Sequence, residues 1–446
     1  MKIVIIGAGS MVFSSRLTTD ILSVPELAAG TISYVDIDQE ALDLISAFAR
    51  RAVAQEGLPT RIEATTDRRQ ALDGADYVVA TFRVGGMEAT GHDIRIPLRY
   101  GVDQAVGDTV GPGGIFYGQC HIPLILDICR DMEALCPNAL LLNHSNPMAM
   151  LCWAMNAATK VRNVGLCHSV QGTSERLAGY IGAPYDEVTY WVAGINHMAW
   201  FLRFEWNHQD AYPLLRRRLE EWDAAGGESQ VDLAVHDART WEADTVRREV
   251  YRRFGYWVTE STRHMSEYAP YFRRTPELMA EYSLPRRDMT SQIGPARRAE
   301  RRETIRRMAA GEEPVPMERS SEYSSRIIEA CVTDRPLRIN GNVRNTGLIT
   351  NLPPDCVVEV PCLVDGTGVH PCYVGDLPGQ LAGLNRSNIA VQELAVRAAL
   401  AGDHEALYQA VALDPLTAAT LSLADIRRMV DEMTEALLPW MPQFQR

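Results

Sequence analysis

Two short segments each set a metal-capable side chain at the end of an apolar run: Gly165-Leu166-Cys167-His168-Ser169-Val170 and, some thirty residues later, Gly194-Ile195-Asn196-His197-Met198. On extended backbone, neighbouring side chains point to opposite faces, so Cys167 and His168 do not grip one ion together and Cys167 with His197 is the better pair. A thiolate and an imidazole with no obvious third protein ligand would leave coordination positions open, as a catalytic metal needs. The plainer reading stays open as well, since a free cysteine on an apolar strand often belongs to the core. Upstream, Asn143-His144-Ser145-Asn146-Pro147-Met148 closes another strand at the edge where doubly wound sheets bind ligands. The Asn146 amide can donate to and accept from a sugar hydroxyl, and Pro147 fixes the turn that presents it. Alternatively, such an asparagine bonds only its own turn.

A second group of residues suits a nucleotide. Gly7-Ala8-Gly9-Ser10-Met11-Val12 follows a strand pattern and opens a helical one, where glycines let backbone N–H groups approach a pyrophosphate. The sixth position is Val12 in place of the usual small residue. Asp36, in Tyr34-Val35-Asp36-Ile37-Asp38, ends the next strand, where a carboxylate accepts from ribose hydroxyls and repels a 2′-phosphate. Gly7, Gly9, Ser10, Met11 and Asp36 therefore point to NAD and away from NADP, and Asn143 is placed beside the same cofactor. The glycine-dense Gly107-Asp108-Thr109-Val110-Gly111-Pro112-Gly113-Gly114 reads as a loop over the cofactor, with Asp108 turned to the substrate.

These motifs need a frame. Lys2–Ile6, Thr31–Asp36, Tyr77–Phe82, Ala139–Asn143 and Asn163–Cys167 read as strands, and Phe13–Leu27, Gln39–Gln55 and Ile122–Leu135 as helices between them. Such alternation predicts an α/β, Rossmann-type doubly wound parallel sheet over residues 1–190. From 191 to 446 the pattern predicts a second, α+β domain for substrate, metal and oligomerisation. The 446 residues carry a net charge of −13, which argues against a nucleic-acid partner, and the arginines of Arg297–Arg307 interleave with Glu300 and Glu303 as on a solvated helix face. No run approaches the roughly 20 apolar residues of a membrane span. Nine cysteines without a CxxC pair suggest reduced thiols and the cytoplasm.

Taken together and in order, the motifs resemble the family-4 glycoside hydrolases. The resemblance runs from Gly7-Ala-Gly-Ser through Gly111-Pro-Gly-Gly, Asn146-Pro-Met, Cys167-His-Ser-Val and Asn196-His-Met to Asn342-Val-Arg-Asn and Asn351-Leu-Pro, covering essentially the whole chain. It implies a dinucleotide fold like that of lactate and malate dehydrogenases, NAD, and Mn²⁺ or another divalent metal at Cys167 and His197. It also implies hydrolysis by oxidation at C3 of the sugar, elimination across C1–C2, water addition and re-reduction, outside the two-carboxylate scheme. Asn146 matches the sugar-binding asparagine, and His168 the acid position. Cys-His-Ser-Val resembles the α-galactosidases of the family, where 6-phospho-α-glucosidases look like Cys-Asp-Met-Pro. The base that removes the C2 proton falls within or near Tyr256–His264, with Tyr256, Glu260 and Tyr268 as candidates. A small glycoside is the implied substrate, and a homodimer or homotetramer the implied assembly.

Two alternatives within the family are an α-galacturonidase and an α-glucuronidase, for which a cationic side chain in the pocket would be the sign. From another class, a 2-hydroxy-acid dehydrogenase would use His197 as proton acceptor and Arg83 or Arg95 to clamp a carboxylate. A non-catalytic NAD sensor would have no use for a metal thiolate.

Overall fold

The computed structural model describes residues 1–224, 244–287 and 293–445. Six parallel strands come first: β1 (Lys2–Ile6), β2 (Thr31–Val35), β3 (Arg61–Thr65), β4 (Tyr77–Ala80), β5 (Leu140–Asn143) and β6 (Arg162–Gly165). Their order β3-β2-β1-β4-β5-β6 is that of dinucleotide-binding folds, as the alternating pattern predicts. Ile3 to Ile6 and Leu140 to Asn143 are buried without a break, because helices cover both faces. Ile3 and Ile5 join one core with Leu17, Ile21 and Phe48, whereas Val4 and Ile6 join the other with Ile115, Phe116 and Met150. The edge strand β3 was not legible in the sequence. Its Arg-Ile-Glu-Ala-Thr has no fully buried position and hence no apolar run.

The later strands continue the same sheet across residue 190. They are β7 (Val188–Ile195), β8 (Met198–Trp206), β9 (Gln209–Asp210), β10 (Leu337–Arg344), β11 (Val357–Asp365) and β12 (Gly368–Pro371), all antiparallel. After β6 the order runs β10-β11-β7-β8-β9, with β12 beside β11. Two one-residue pairings make the seams: Asn342 with Gly165, and Glu359 with Gly194. The helix Gly379–Ala401 packs across the join, giving Leu381 and Ile389 to one core and Ala395 and Val396 to the other. The arginines after Arg297 lie in the helix Ile293–Ala310, where Arg302 pairs with Glu40 at 2.5 Å. Among the described residues, no helix is long and apolar enough to cross a membrane.

The glycine-dense segment differs from its expected form. Only its first part is loop, because Gly111 opens the helix Gly111–Leu135, with Pro112 in the first turn where a missing N–H costs nothing. The close approach signalled by these glycines is to the chain's own backbone. A Cβ on Gly114 would lie 2.4 Å from the Thr109 carbonyl carbon, and one on Gly113 2.8 Å from the Asp93 and Gly107 oxygens. Gly114→Ala must therefore push the Asp108-Thr109 loop aside, and thermal melts should show a loss of about 1–3 kcal/mol. An unchanged melting temperature would mean the loop has room that this packing denies it.

Candidate functional site

β7 and β8 are joined by the two-residue turn Asn196-His197, in which His197 takes φ +63°, in the left-handed region. Residues 257–259 run beside β8, through Phe201 N–H to Trp257 O at 2.9 Å and Thr259 N–H to Ala199 O at 2.8 Å. They deliver Glu260, at φ +68°, to the same place. Buried Arg247 donates to the Glu260 carbonyl and, at 2.7 Å, to Asp244 Oδ1, which fixes this turn. Cys167 lies two residues past β6. Its Sγ, a His197 ring nitrogen and a Glu260 carboxylate oxygen all fall within 4.8 Å of one another. Cys167 and His197 thus meet as their spacing suggests, and Glu260 is a third possible donor that the sequence reading considered only as a base.

Electrostatics suit a cation. Burial, and then the neighbouring His264, hold the His197 imidazole down to about 3, so it is neutral, and its buried Nδ1 has no hydrogen-bond partner among the described residues. Burial alone would raise Glu260, but His264, His197, His168 and Arg247 together bring it to about 2, leaving it ionised at neutral pH. The Cys167 thiol is pushed well up by burial and by the Glu260 and Glu359 carboxylates. Hydrogen bonds from Ser169 work the other way without overcoming burial, and a cation beside the sulfur would favour its thiolate. His264 completes the group, with its ring 4.4 Å from that of His197 and its Nδ1 3.5 Å from Glu260 Oε2. Sequence reasoning passed over His264, although Ser261-x-x-His264 marks the first turn of a helix that Ser261 caps.

The cluster opens on a cavity of about 1940 Å³ whose lining includes His168, Glu260, His264 and Asp108. His168 is exposed where its neighbour Cys167 is buried, although both lie beyond β6 and His168, at φ −91° and ψ 5°, is not on extended backbone. The Asp108 carboxylate accepts from Thr109 Oγ1 at 2.8 Å. Tyr256 and Tyr268 are outside this lining: Tyr256 packs edge-on against Tyr212, and buried Tyr268 donates to Asn196 O at 3.2 Å. Half-buried Asn146 precedes the helix Met148–Ala158 through a cis bond to Pro147, also outside the lining. Arg83 bonds Thr90 Oγ1 at 2.7 Å, Arg95 is exposed, and neither lines the cavity, so neither is placed to clamp a carboxylate there.

On the nucleotide side, Gly7 has φ +84°, and a Cβ there would lie 2.4 Å from Thr81 O. Asp36 lies just beyond β2 and accepts Gly9 N–H at 2.6 Å, whereas Asp38 caps the next helix by accepting Ala41 N–H at 3.1 Å. Asp36 is thus the carboxylate at the strand end, and Asp38 serves its helix. Exposed Ser10 makes no side-chain cap and half-buried Met11 begins the helix Met11–Leu22, leaving its first N–H groups for an anion. Asn143 is fully buried, with Nδ2 given to Ser145 O and Oδ1 accepting Ser145 N–H, each at 3.1 Å. Its side chain is spent on the turn that presents Asn146.

The comparisons with known proteins bear on this geometry. The family 4 glycosyl hydrolase profile matches residues 2–183, and that of the family 4 glycosyl hydrolase C-terminal domain matches 192–417. The chain belongs to the family-4 glycosyl hydrolases. It is 40% identical to an alpha-galactosidase of Bacillus subtilis (strain 168), covering 100% of both chains. It is 41% identical to an alpha-galactosidase of Rhizobium meliloti (strain 1021), covering 99% of this chain and 89% of the relative. A solved 6-phospho-alpha-glucosidase from gut microorganisms, in complex with NAD and Mn²⁺, shares the fold with a TM-score of 0.82 at 20% identity, over 99% of each chain.

This glycosyl hydrolase also buries a carboxylate that no motif announced. Glu359 lies on β11 at the seam, fully buried, and neither of its oxygens has a hydrogen-bond partner among the described residues. Burial, with a contribution from Glu260, pushes it up to about 8. Its folded value lies above the ordinary 4.5, so its contribution to stability is whole below about 4.5 and is lost as pH rises towards about 8. In chelator-treated protein, Glu359→Gln should remove that loss, so that melting temperatures of variant and parent diverge progressively from about pH 5 to about pH 8. Parallel profiles would show that Glu359 is already ionised in the fold.

Proposed function

We propose that the chain is an NAD- and divalent-metal-dependent α-galactosidase. The observation that carries the reading is that Cys167 and His197 meet beside the ionised Glu260, which lines the same cavity as His168. The name borne by relatives 40% and 41% identical over nearly the whole chain supports the galactoside. Gly7, Gly9, Ser10 and Met11 offer backbone and Asp36 a carboxylate for NAD, while Cys167 and His197 are the residues that would hold Mn²⁺ or a similar ion. When bound, NAD would accept and return a hydride at C3 of the sugar, and the metal would polarise the 2- and 3-oxygens as a Lewis acid.

The chain's own residues supply the proton chemistry. His168, exposed to the cavity, gives a proton to the departing glycosidic oxygen. Glu260 takes the C2 proton; of the three candidate bases it alone lines the cavity, and it is ionised. Asp108 faces the same space for a sugar hydroxyl, whereas Asn146, outside the lining, has its sugar role only from the family motif it matches. Nine free thiols suit a reducing compartment, so we place the enzyme in the cytoplasm. Arg286, Arg287 and Arg326 also line the cavity, which makes α-galacturonides and α-glucuronides the comparison substrates.

With NAD⁺ and Mn²⁺ supplied, p-nitrophenyl α-galactoside should be cleaved faster than either uronide, with no net NADH. In D₂O the released galactose should carry deuterium at C2, because the base can exchange its proton before returning it. Product without that label would end the elimination reading, and a faster uronide would move the substrate. Glu260→Gln should abolish C2 exchange while Mn²⁺ affinity, followed by electron paramagnetic resonance, falls less than about tenfold. Loss of Mn²⁺ binding altogether would make Glu260 a ligand and reopen the identity of the base.

A further inference from the structure

The seven-residue helix Thr262–Tyr268 touches the site at its own start and at two segments from distant parts of the chain. At its start, Ser261 Oγ and His264 Nδ1 lie 3.1 Å apart beside the Glu260 carboxylate. Near its end, the buried Glu267 carboxylate accepts Val106 N–H at 2.6 Å and Gly107 N–H at 3.2 Å, the two amides immediately before Asp108. One residue on, Tyr268 Oη donates to Asn196 O at 3.2 Å, on the residue immediately before His197. The helix is itself pinned, since Asn388 Nδ2 donates to Tyr268 O at 3.0 Å. Neither Glu267 nor Tyr268 lines the cavity, and each is no more than 3% exposed, so neither reaches a substrate.

We propose that Glu267 and Tyr268 are a pair of positioning residues that together set the separation between Asp108 and His197. The proposal rests on the reading above that Asp108 faces the sugar and His197 the metal. A carboxylate is required at 267 because two adjacent N–H groups converge on it. An amide offers a single acceptor oxygen and turns its NH₂ towards one of those donors. Tyr268 acts through a neutral bond to a carbonyl, which constrains the His197 turn without adding charge. The two residues should therefore fail differently although they are neighbours on one helix.

The test uses full-length protein, with free Mn²⁺ read by electron paramagnetic resonance, NAD⁺ and p-nitrophenyl α-galactoside for kinetics, and thermal melts for folding. Glu267→Gln should raise KM about tenfold or more with a smaller change in kcat, as misplacing one substrate contact does, and leave Mn²⁺ affinity within about twofold. Tyr268→Phe should weaken Mn²⁺ binding about tenfold in the absence of any substrate, as loss of an outer-shell support does. Glu267→Asp, which keeps both acceptor oxygens, should recover part of the KM. A crystal structure of Glu267→Gln should show the Asp108 carboxylate displaced and His197 in place, and this arm stands even if galactosides prove not to be the substrate. The proposal is overturned if both variants lose Mn²⁺ affinity and KM in proportion to their melting temperatures, or if Asp108 stays where it is in Glu267→Gln.

Discussion

Gly165 pairs with Asn342, and Gly194 with Glu359, and through these two contacts the antiparallel strands are stitched to the parallel sheet. Both positions forbid a side chain. A Cβ on Gly165 would lie 2.5 Å from Met148 Sδ and 2.8 Å from Cys152 Sγ, and one on Gly194 2.6 Å from Ala199 Cα. Each glycine precedes a metal-capable residue by two or three positions, Cys167 in one case and His197 in the other. The closeness of the seams therefore decides how near a thiol and an imidazole from different strands can come. Without it, β6 and β7 would end in the same region and their side chains would not share an ion.

That closeness has an electrostatic cost, and the chain divides it between two carboxylates. The ionised Glu260 raises the proton affinity of Glu359 and of the Cys167 thiol. Glu260 has Arg247 and a ring of imidazoles and stays ionised, whereas Glu359 has no hydrogen-bond partner among the described residues and holds its proton. Two acids pushed apart in this way give one group able to accept a proton and another that adds no charge behind the site. Two of the non-glycine residues with left-handed φ, His197 and Glu260, belong to the same account, since such residues hold that conformation where the surroundings over-determine it.

How much of this was legible in the sequence follows from how local each feature is. Gly7, Gly9 and Asp36 were readable because a strand, a turn and a helix start carry their own signals within a few residues. Cys167 and His197 were readable as a pair from the strands that precede them. The pattern at Gly111–Gly114 misled because glycine disfavours helices, and only the packing against Thr109 shows why a helix begins there. Glu359, His264 and Glu267 were silent for a different reason. Each acts on a segment far away in the chain, and Glu359 sits among valines that read simply as a buried strand.

The sheet order explains how one cavity can serve both cofactor and proton transfer. A dinucleotide fold puts its nucleotide at the carboxyl ends of β1, β2 and β4. Extending the sheet beyond β6 brings β7 back to the same edge, so that the Asn196-His197 turn faces the side from which Gly9 and Asp36 also project. The cavity lining records this, for Val12, Ser15 and Arg16 of the first helix share it with His168 and Glu260. A hydride acceptor held at one end and an acid and a base at the other would then act on a single sugar without its leaving. An enzyme that returns the hydride it takes must in addition keep its sugar bound until the hydride is given back.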